Sequence, residues 1–187
     1  MTHLQIYTPS VTLIPSTWFL QGEGIITSEK RIKHLVSVFA DESERLQMDQ
    51  ESLVYEVQAH IPVREGSPGG LSFGTTLIHP GKVGNEYFMT RGHFHALADR
   101  SEYYWGVQGE GMLVLMDGNQ TTWAEKMFTG SLHFIGANTA HRVANTGTGP
   151  LIFGACWPSD AGHNYDTIDR NGFSARLVEI DGVPFLT

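Results

Sequence analysis

The sequence predicts an all-β protein whose antiparallel strands form a sandwich or a small barrel. Glycine is abundant, with 21 residues in a chain of 187, whereas the average share is about 7 %. Such a composition indicates many tight turns. From residue 53 onward, short segments of alternating apolar and polar residues are separated by turn residues. The length also fits one domain with a sizeable hydrophobic core.

The part of the chain before this series is less regular. Residues 1–27 are expected to form an extended arm or short strands. Residues 31–39 have apolar side chains at helical spacing but are rich in β-branched residues, so helix and strand both stay open. Residues 41–50 predict a short helix, because Asp41 or Ser43 can cap its N-terminus and acidic residues occupy its first turn.

The barrel core is predicted over residues 53–160. Its strands are expected at 53–63, 71–79, 86–95, 102–116 with a glycine-rich break, 121–128, 131–136, 141–147 and 150–158. The segment DGNQ at 117–120 predicts a hairpin turn. Residues 161–187 are expected to form a loop and one further strand at 175–180. The whole chain, 1–187, is therefore predicted to be a single domain.

Charge and composition exclude several classes of partner. The chain has 12 basic and 20 acidic residues, a net charge of −8. Binding of nucleic acid or of anionic membranes needs an excess of basic residues, so neither partner is expected. No apolar run reaches the length of a membrane span, and the N-terminus lacks the features of a signal peptide. Cys156 is the single cysteine and cannot form an internal disulfide, so a cytoplasmic location is expected.

A pair of histidines is the first indication of chemistry. His93 and His95 are one residue apart, and such residues face the same side of a strand. If the strand of these histidines forms a hairpin with the next one, Glu102 returns beside them. His141 is a fourth candidate. A lone strand histidine is more often a surface or core residue, but three imidazoles and one carboxylate together suit a divalent transition metal.

The spacing of these residues resembles the two sequence motifs of the cupins. The residues at motif positions are His93, His95, Glu102 and Gly109 for the first motif, and Gly130, His141 and Asn145 for the second. The interval before the glutamate is longer than usual. Tyr87 and Asn138 stand where the motifs have glycine, and Gly136 stands where the second has proline.

Three segments narrow the resemblance to the cupin-type glucose-6-phosphate isomerases. They are PGKVGNEYFMTRGHFHALADRSEYY, AHRVANTG and WPSDAGHNYDTI. The resemblance runs from about Leu53 to Phe173, and the N-terminal third matches only in general layout. It implies a cupin fold, which is a double-stranded β-helix or jelly-roll barrel, with a short N-terminal helical segment. It also implies interconversion of glucose 6-phosphate and fructose 6-phosphate by a homodimer.

The same resemblance implies a site with a divalent metal, Fe²⁺ first, with Mn²⁺, Zn²⁺ or Ni²⁺ as alternatives. The implied metal ligands are His93, His95, Glu102 and His141. The implied catalytic residues are Glu102, Tyr104 and His163. The implied substrate-binding residues are Tyr55, Thr76, Thr90, Gly92, Trp157 and Tyr165, of which Thr76, Thr90, Gly92 and Tyr165 fall where the phosphate is held. Archaeal members have tyrosine at the position of Trp157, where an indole N–H can donate in place of the phenol.

The residues themselves leave several alternatives open. Strand alternation places Tyr104 on the same face as Glu102, where it can be catalytic or simply fill the barrel. His163 and Tyr165 can close the barrel mouth or belong to a surface loop. Arg91 and Lys82 are basic residues that could attract a phosphate or could simply be solvated.

The reaction and its class also have alternatives. Glu102 is the candidate base that moves a proton between C1 and C2, and a metal-assisted hydride shift is the competing route. A metal-dependent cupin oxygenase and a non-enzymatic sugar-binding cupin are the two other functions that the same ligand set permits.

Overall fold

The computed structural model describes residues 4–187, which form mainly short strands, so the predicted all-β class is confirmed. Residues 1–3, the start of the predicted arm, lie outside the described residues. The strands are β1 (Val11–Leu13), β2 (Leu20–Gly22), β3 (Ile25–Arg31), β4 (Leu53–His60), β5 (Leu71–Ile78), β6 (Lys82–Val83), β7 (Glu86–Tyr87), β8 (Glu102–Gln108), β9 (Glu110–Asp117), β10 (Thr122–Phe128), β11 (Leu132–Ile135), β12 (Thr139–Asn145), β13 (Leu151–Pro158), β14 (Leu177–Ile180) and β15 (Val183–Leu186).

The helical segments of the described chain are short. They are a 3-10 helix (Ile32–His34), α1 (Glu42–Gln47) and α2 (Asp166–Asn171). Within residues 4–187, none of these is long and apolar enough to cross a membrane.

Antiparallel pairing places the strands in two main sheets and two smaller ones. The large sheet has the order β11-β8-β13-β5-β4-β3, and a second sheet has the order β10-β9-β12. The smaller sheets are β15-β14-β7-β6 and β1-β2. One buried cluster joins Ile78 and Phe153 of the large sheet to Leu113 and Val143 of the second, so both sheets bury their inner faces in a common core.

The N-terminal helix confirms the expectation for residues 41–50. The Asp41 carboxylate accepts a hydrogen bond of 2.9 Å from the backbone N–H of Glu44, which is the usual N-cap contact. The open question at residues 31–39 resolves toward a helical turn. The 3-10 helix buries Ile32 and is followed by the buried Leu35, and both side chains belong to the core cluster.

The prediction of one strand over residues 86–95 is wrong. After β7 the chain keeps only isolated bridges, one of which joins His93 to His141. Gly92 lies in this stretch with a φ of +80°, a left-handed conformation that interrupts regular strand pairing. The predicted hairpin with the next strand is also wrong, because β8 pairs with β11 and β13 instead. The break predicted within 102–116 is confirmed at Gly109, between β8 and β9.

The C-terminal segment holds more structure than the predicted loop and strand. Helix α2 has no side-chain N-cap bond, but Gly172 ends it with a φ of +68° and its buried Ile168 joins the core cluster. Strand β15 returns along β14 through a turn at Asp181 and Gly182, both with positive φ. An Asp-Gly pair between apolar residues is a strong hairpin signal, so β15 could have been predicted from the sequence.

Candidate metal centre

The structure brings together the four side chains predicted as metal ligands. Each of His93, His95, Glu102 and His141 offers a nitrogen or oxygen atom, and these atoms all lie within 4.8 Å of one another. The backbones of His93 and His141 exchange two hydrogen bonds, of 3.3 and 3.1 Å. The segment with His93 and His95 is therefore held beside β12 by this bridge, and Glu102 is the first residue of β8.

Backbone carbonyls orient two of the imidazoles. Nδ1 of His95 lies 2.9 Å from the carbonyl oxygen of Arg100, and Nδ1 of His141 lies 3.1 Å from that of Thr139. Each Nδ1–H donates to its carbonyl, so each Nε2 keeps a lone pair that faces the cluster. This is the arrangement in which protein histidines bind metals, with the distal nitrogen held by an outer partner.

Two atoms of the cluster test whether a metal fits. Oε1 of Glu102 lies 3.3 Å from Nε2 of His95 and 2.6 Å from Nε2 of His141. Oε1 of Glu102 and Nε2 of His141 are fully buried and have no hydrogen-bond partner. With the histidine proton on Nδ1, two acceptors face each other in a buried site, which is costly. A bound cation satisfies both acceptors, so the donor set fits a divalent metal.

Electrostatics keep the carboxylate in its ligating form. Burial raises the pKa of Glu102, but the positive charge and N–H groups of His141 and His95, when these imidazoles are protonated, outweigh it and lower this pKa to about 2. A bound cation supplies the same positive charge in place of those protons. Burial lowers the pKa of His93 well below its ordinary value, and the imidazoles of His141 and His163 lower it further. The cluster is thus set to hold an ionised carboxylate beside a neutral imidazole, the protonation states that metal binding requires.

A cavity of about 290 Å³ opens from this cluster. The remaining predicted site residues all line it, and they are Tyr55, Thr76, Thr90, Gly92, Tyr104, Trp157, His163 and Tyr165. Strand register explains part of this arrangement. Val57 of β4 lies opposite Thr76 of β5, which lies opposite Phe153 of β13, and paired residues of neighbouring strands face the same side.

Aromatic rings form one wall of the cavity next to the metal cluster. The ring centre of Tyr104 lies 5.6 Å from that of His141 and 5.0 Å from that of Phe153. Burial, followed by the charge of Glu102, raises the pKa of Tyr104 well above its ordinary value, so its hydroxyl stays protonated. The ring centre of His163 lies 4.4 Å from that of His93. The same ring stacks on the Tyr165 ring, with 5.6 Å between the two ring centres.

The segment before His93 combines a hydroxyl with a crowded glycine. Oγ1 of Thr90 accepts a 3.0 Å hydrogen bond from the backbone N–H of Val143, which leaves its O–H available to donate into the cavity. A Cβ atom at Gly92 would lie 2.9 Å from the Phe173 ring. The backbone at Gly92 can pack against Phe173 only because the side chain is absent.

The basic residues differ from the sequence interpretation. Lys82 is not among the cavity residues and pairs with Glu179 at 2.6 Å. Arg91 lines the cavity, but its guanidinium is bound by Asp169 and lies 4.5 Å from the centre of the Tyr165 ring. Lys30 of β3 also lines the cavity and was not predicted. No local sequence pattern marks it, because its place in the cavity depends on the register of β3 with β4.

Comparison with known proteins gives a consistent family. The family model described as "Glucose-6-phosphate isomerase (GPI)" matches residues 29–184. A glucose-6-phosphate isomerase from Thermococcus kodakarensis is 42 % identical over 165 residues, covering 85 % of this chain and 86 % of the relative. One from Sinorhizobium medicae is 35 % identical over 155 residues, covering 81 % of this chain and 72 % of the relative.

Among solved structures, an oxalate decarboxylase from Bacillus subtilis is similar to part of the chain. The TM-score is 0.46 at 15 % identity, over 59 % of this chain and 26 % of that one.

Proposed function

The chain belongs to the glucose-6-phosphate isomerase family in its cupin form, and we propose that its reaction takes place at the cluster of His93, His95, Glu102 and His141. The activity is that of an aldose–ketose isomerase, which interconverts glucose 6-phosphate and fructose 6-phosphate. The observation that carries the proposal is the convergence of the four ligand atoms within 4.8 Å at a cavity that the other site residues line.

The cluster is suited to a divalent transition metal. Such an ion, when bound, polarises the substrate carbonyl and balances the negative charge that develops between C1 and C2. Three imidazoles and one carboxylate suit Fe²⁺, which is our choice of resident ion, and they also accept Mn²⁺, Zn²⁺ or Ni²⁺.

Three side chains, Glu102 of the cluster and its neighbours Tyr104 and His163, are proposed to move protons. Glu102 is ionised and acts as the base that takes the proton from one carbon and returns it to the other. Tyr104 stays protonated and donates its O–H to a substrate oxygen. Burial, as the largest cause, lowers the pKa of His163, so this imidazole is neutral and can accept a proton from a substrate hydroxyl.

The other cavity residues bind the substrate. Thr76, Thr90, Gly92 and Tyr165 are assigned to the phosphate. Support comes from Thr90, whose hydroxyl keeps its proton free to donate. Tyr55 and Trp157 are assigned to the sugar, because both line the cavity and can donate a hydrogen bond from an O–H or an indole N–H.

We also propose that the protein works as a homodimer in the cytoplasm. Support for the dimer comes from exposed apolar side chains on two adjacent strands of the large sheet. Tyr103, Leu132 and Phe134 are 47, 68 and 57 % exposed, and the rings of Tyr103 and Phe134 lie 5.3 Å apart. A cytoplasmic location is supported by the substrate, because a phosphorylated sugar is retained inside cells by its charge.

The test is an isomerase assay with controlled metal content. The purified protein is stripped with a chelator, reloaded with Fe²⁺ or Mn²⁺, and supplied with fructose 6-phosphate, while a second enzyme reports glucose 6-phosphate. We expect activity to disappear with the metal and return with it. Turnover should proceed without oxygen uptake. A metal-loaded protein that shows no isomerisation, or that consumes oxygen instead, would refute the proposed function.

A further inference from the structure

We propose that Lys30 is a specificity-determining residue of this site, and that its ammonium group binds the phosphate of the substrate. This inference rests on the proposed function and deepens it, because it adds a charged group that selects phosphorylated sugars over neutral ones. The phosphate-binding residues assigned above offer only hydroxyls and backbone groups, none of which carries a positive charge.

Strand register places Lys30 beside the assigned pocket. Lys30 lies directly opposite Tyr55 in the pairing of β3 with β4, and both residues line the cavity. Ser28, two residues earlier, also lines the cavity and lies opposite Val57, which in turn lies opposite Thr76. Alternate residues of a strand face the same side, so Lys30 and Ser28 both face inward. Lys30 therefore lies in the row of the sheet next to that of Thr76, with β4 between their two strands.

Charge in the cavity lining singles out this lysine. Among the lining residues, Lys30 and Arg91 are the basic side chains. The Arg91 guanidinium is already paired with Asp169, and it donates to both carboxylate oxygens. Within residues 4–187, no ion pair or side-chain hydrogen bond engages the ammonium of Lys30. The side chain is half-buried, so its positive charge is only partly screened by solvent.

The chemistry of the substrate matches a two-ended site. The carbonyl end of a hexose 6-phosphate belongs at the metal ligands, and its phosphate is carried on the opposite end of the carbon chain. A phosphate is a dianion, and the chain has a net charge of −8, so the dianion needs local positive charge to enter. Lysine is a flexible point charge that binds phosphate well and can follow it as the sugar moves.

Steady-state kinetics of Lys30→Gln tests this inference in the metal-loaded full-length protein. We expect KM for fructose 6-phosphate to rise about tenfold while kcat changes less than about twofold, because binding rather than chemistry is weakened. Inorganic phosphate should inhibit the variant about tenfold more weakly than it inhibits the wild type. Lys30→Arg retains the charge and should restore most of the affinity.

The matched control is Lys126→Gln, which removes the same charge from an exposed position on β10. We expect its KM and its inhibition by phosphate to equal those of the wild type. Melting temperature and metal content are measured for each variant, since a merely structural role of Lys30 would change these quantities. Unchanged KM and unchanged phosphate inhibition in an active Lys30→Gln protein would overturn the inference and leave the proposed function intact.

A thermal-shift measurement with inorganic phosphate separates the two proposals. If the metal-loaded wild type shows no turnover, the proposed function fails, but phosphate binding is still measurable. Stabilisation by phosphate in the wild type and not in Lys30→Gln would support the phosphate site alone. Equal stabilisation of both proteins, or of neither, would contradict a role for Lys30.

Discussion

Nε2 of His141 lies 2.6 Å from Oε1 of Glu102, and both atoms are buried without a hydrogen-bond partner. Nδ1 of His141 is engaged by the carbonyl of Thr139, so the two facing atoms are both acceptors in the neutral tautomer. The fold therefore holds two acceptor atoms close together, and only a proton or a metal ion between them can remove their repulsion. Binding of a metal and stability of the fold are consequently coupled.

The first prediction follows from this coupling. Saturating Mn²⁺ should stabilise the protein by about 2.7 kcal/mol at a free metal concentration about 100 times its Kd. A rise in melting temperature of the chelator-treated protein measures the effect. His93→Ala and His141→Ala should remove most of it. The control is His79→Ala, because His79 lies outside the cluster and is half-exposed. An equal metal-induced rise in His141→Ala would contradict the assigned ligand set.

The second prediction concerns the base. Glu102→Gln removes the ionised carboxylate but keeps its shape, so kcat should fall by about a hundredfold or more, with a smaller change in KM. Glu110→Gln, at an exposed position on β9, is the control. Substrate deuterated at C2 should lose label to solvent in the wild type. Complete retention of the label would instead support a hydride shift and remove Glu102 from this role.

The third prediction concerns the glycine before His93. Gly92→Ala places a Cβ 2.9 Å from Phe173 and 3.1 Å from Arg142, at a φ of +80°. We expect a loss of about 2 kcal/mol or more in the free energy of unfolding, together with weaker metal binding. Gly130→Ala is the matched control, since Gly130 has a φ of +91° with open space around it. Urea denaturation and metal titration measure both effects, and equal losses in the two variants would show that crowding at Gly92 is unimportant.

The fourth prediction is a dependence of stability on pH. Hydrogen bonds from Arg100 lower the pKa of Asp160 below its ordinary value of 3.8. A lowered carboxylate pKa stabilises the fold above the ordinary value, and the contribution is lost as pH falls through the folded-state pKa. Asp160→Asn should therefore be less stable than the wild type at about pH 7, and the difference should shrink toward about pH 3.

The control for this pair is Asp99→Asn. Asp99 contacts the same arginine at 2.9 Å, but its side chain is 77 % exposed, so its removal should change stability little. Urea unfolding midpoints at several pH values give the comparison. A difference between Asp160→Asn and the wild type that stays constant across this pH range would contradict the prediction. The pair also matters for the site, because the carbonyl of Arg100 orients His95.

The all-β class was predictable because it depends on local features. Alternating apolar residues occur where the structure has strands, and turn residues occur between these strands. Asp41 caps the predicted helix. Helix α2 was missed because it has only six residues and no side-chain N-cap bond, although Gly172 at its end was a usable signal. Strands β6 and β7 are only two residues long, too short for an alternating pattern to develop.

The residues of the site could be predicted from the sequence, but the way in which the chain brings them together could not. Motif spacing predicted that His93, His95, Glu102 and His141 would converge, and they do. The predicted route, a hairpin between two successive strands, was wrong, because the bridge from His93 to His141 replaces it. Lys30 lies on an edge strand far from any motif, so only the register of β3 with β4 reveals its place.

The most direct test of the central claim is a titration of the chelator-treated protein with Mn²⁺, in which isomerase activity is followed against metal equivalents per chain. The account predicts a linear rise that stops at about one equivalent, the stoichiometry of a single ligand cluster, in the wild type and in His79→Ala. His141→Ala should show no such rise. Full isomerase activity in the metal-free protein, or an unchanged titration curve in His141→Ala, would contradict the account.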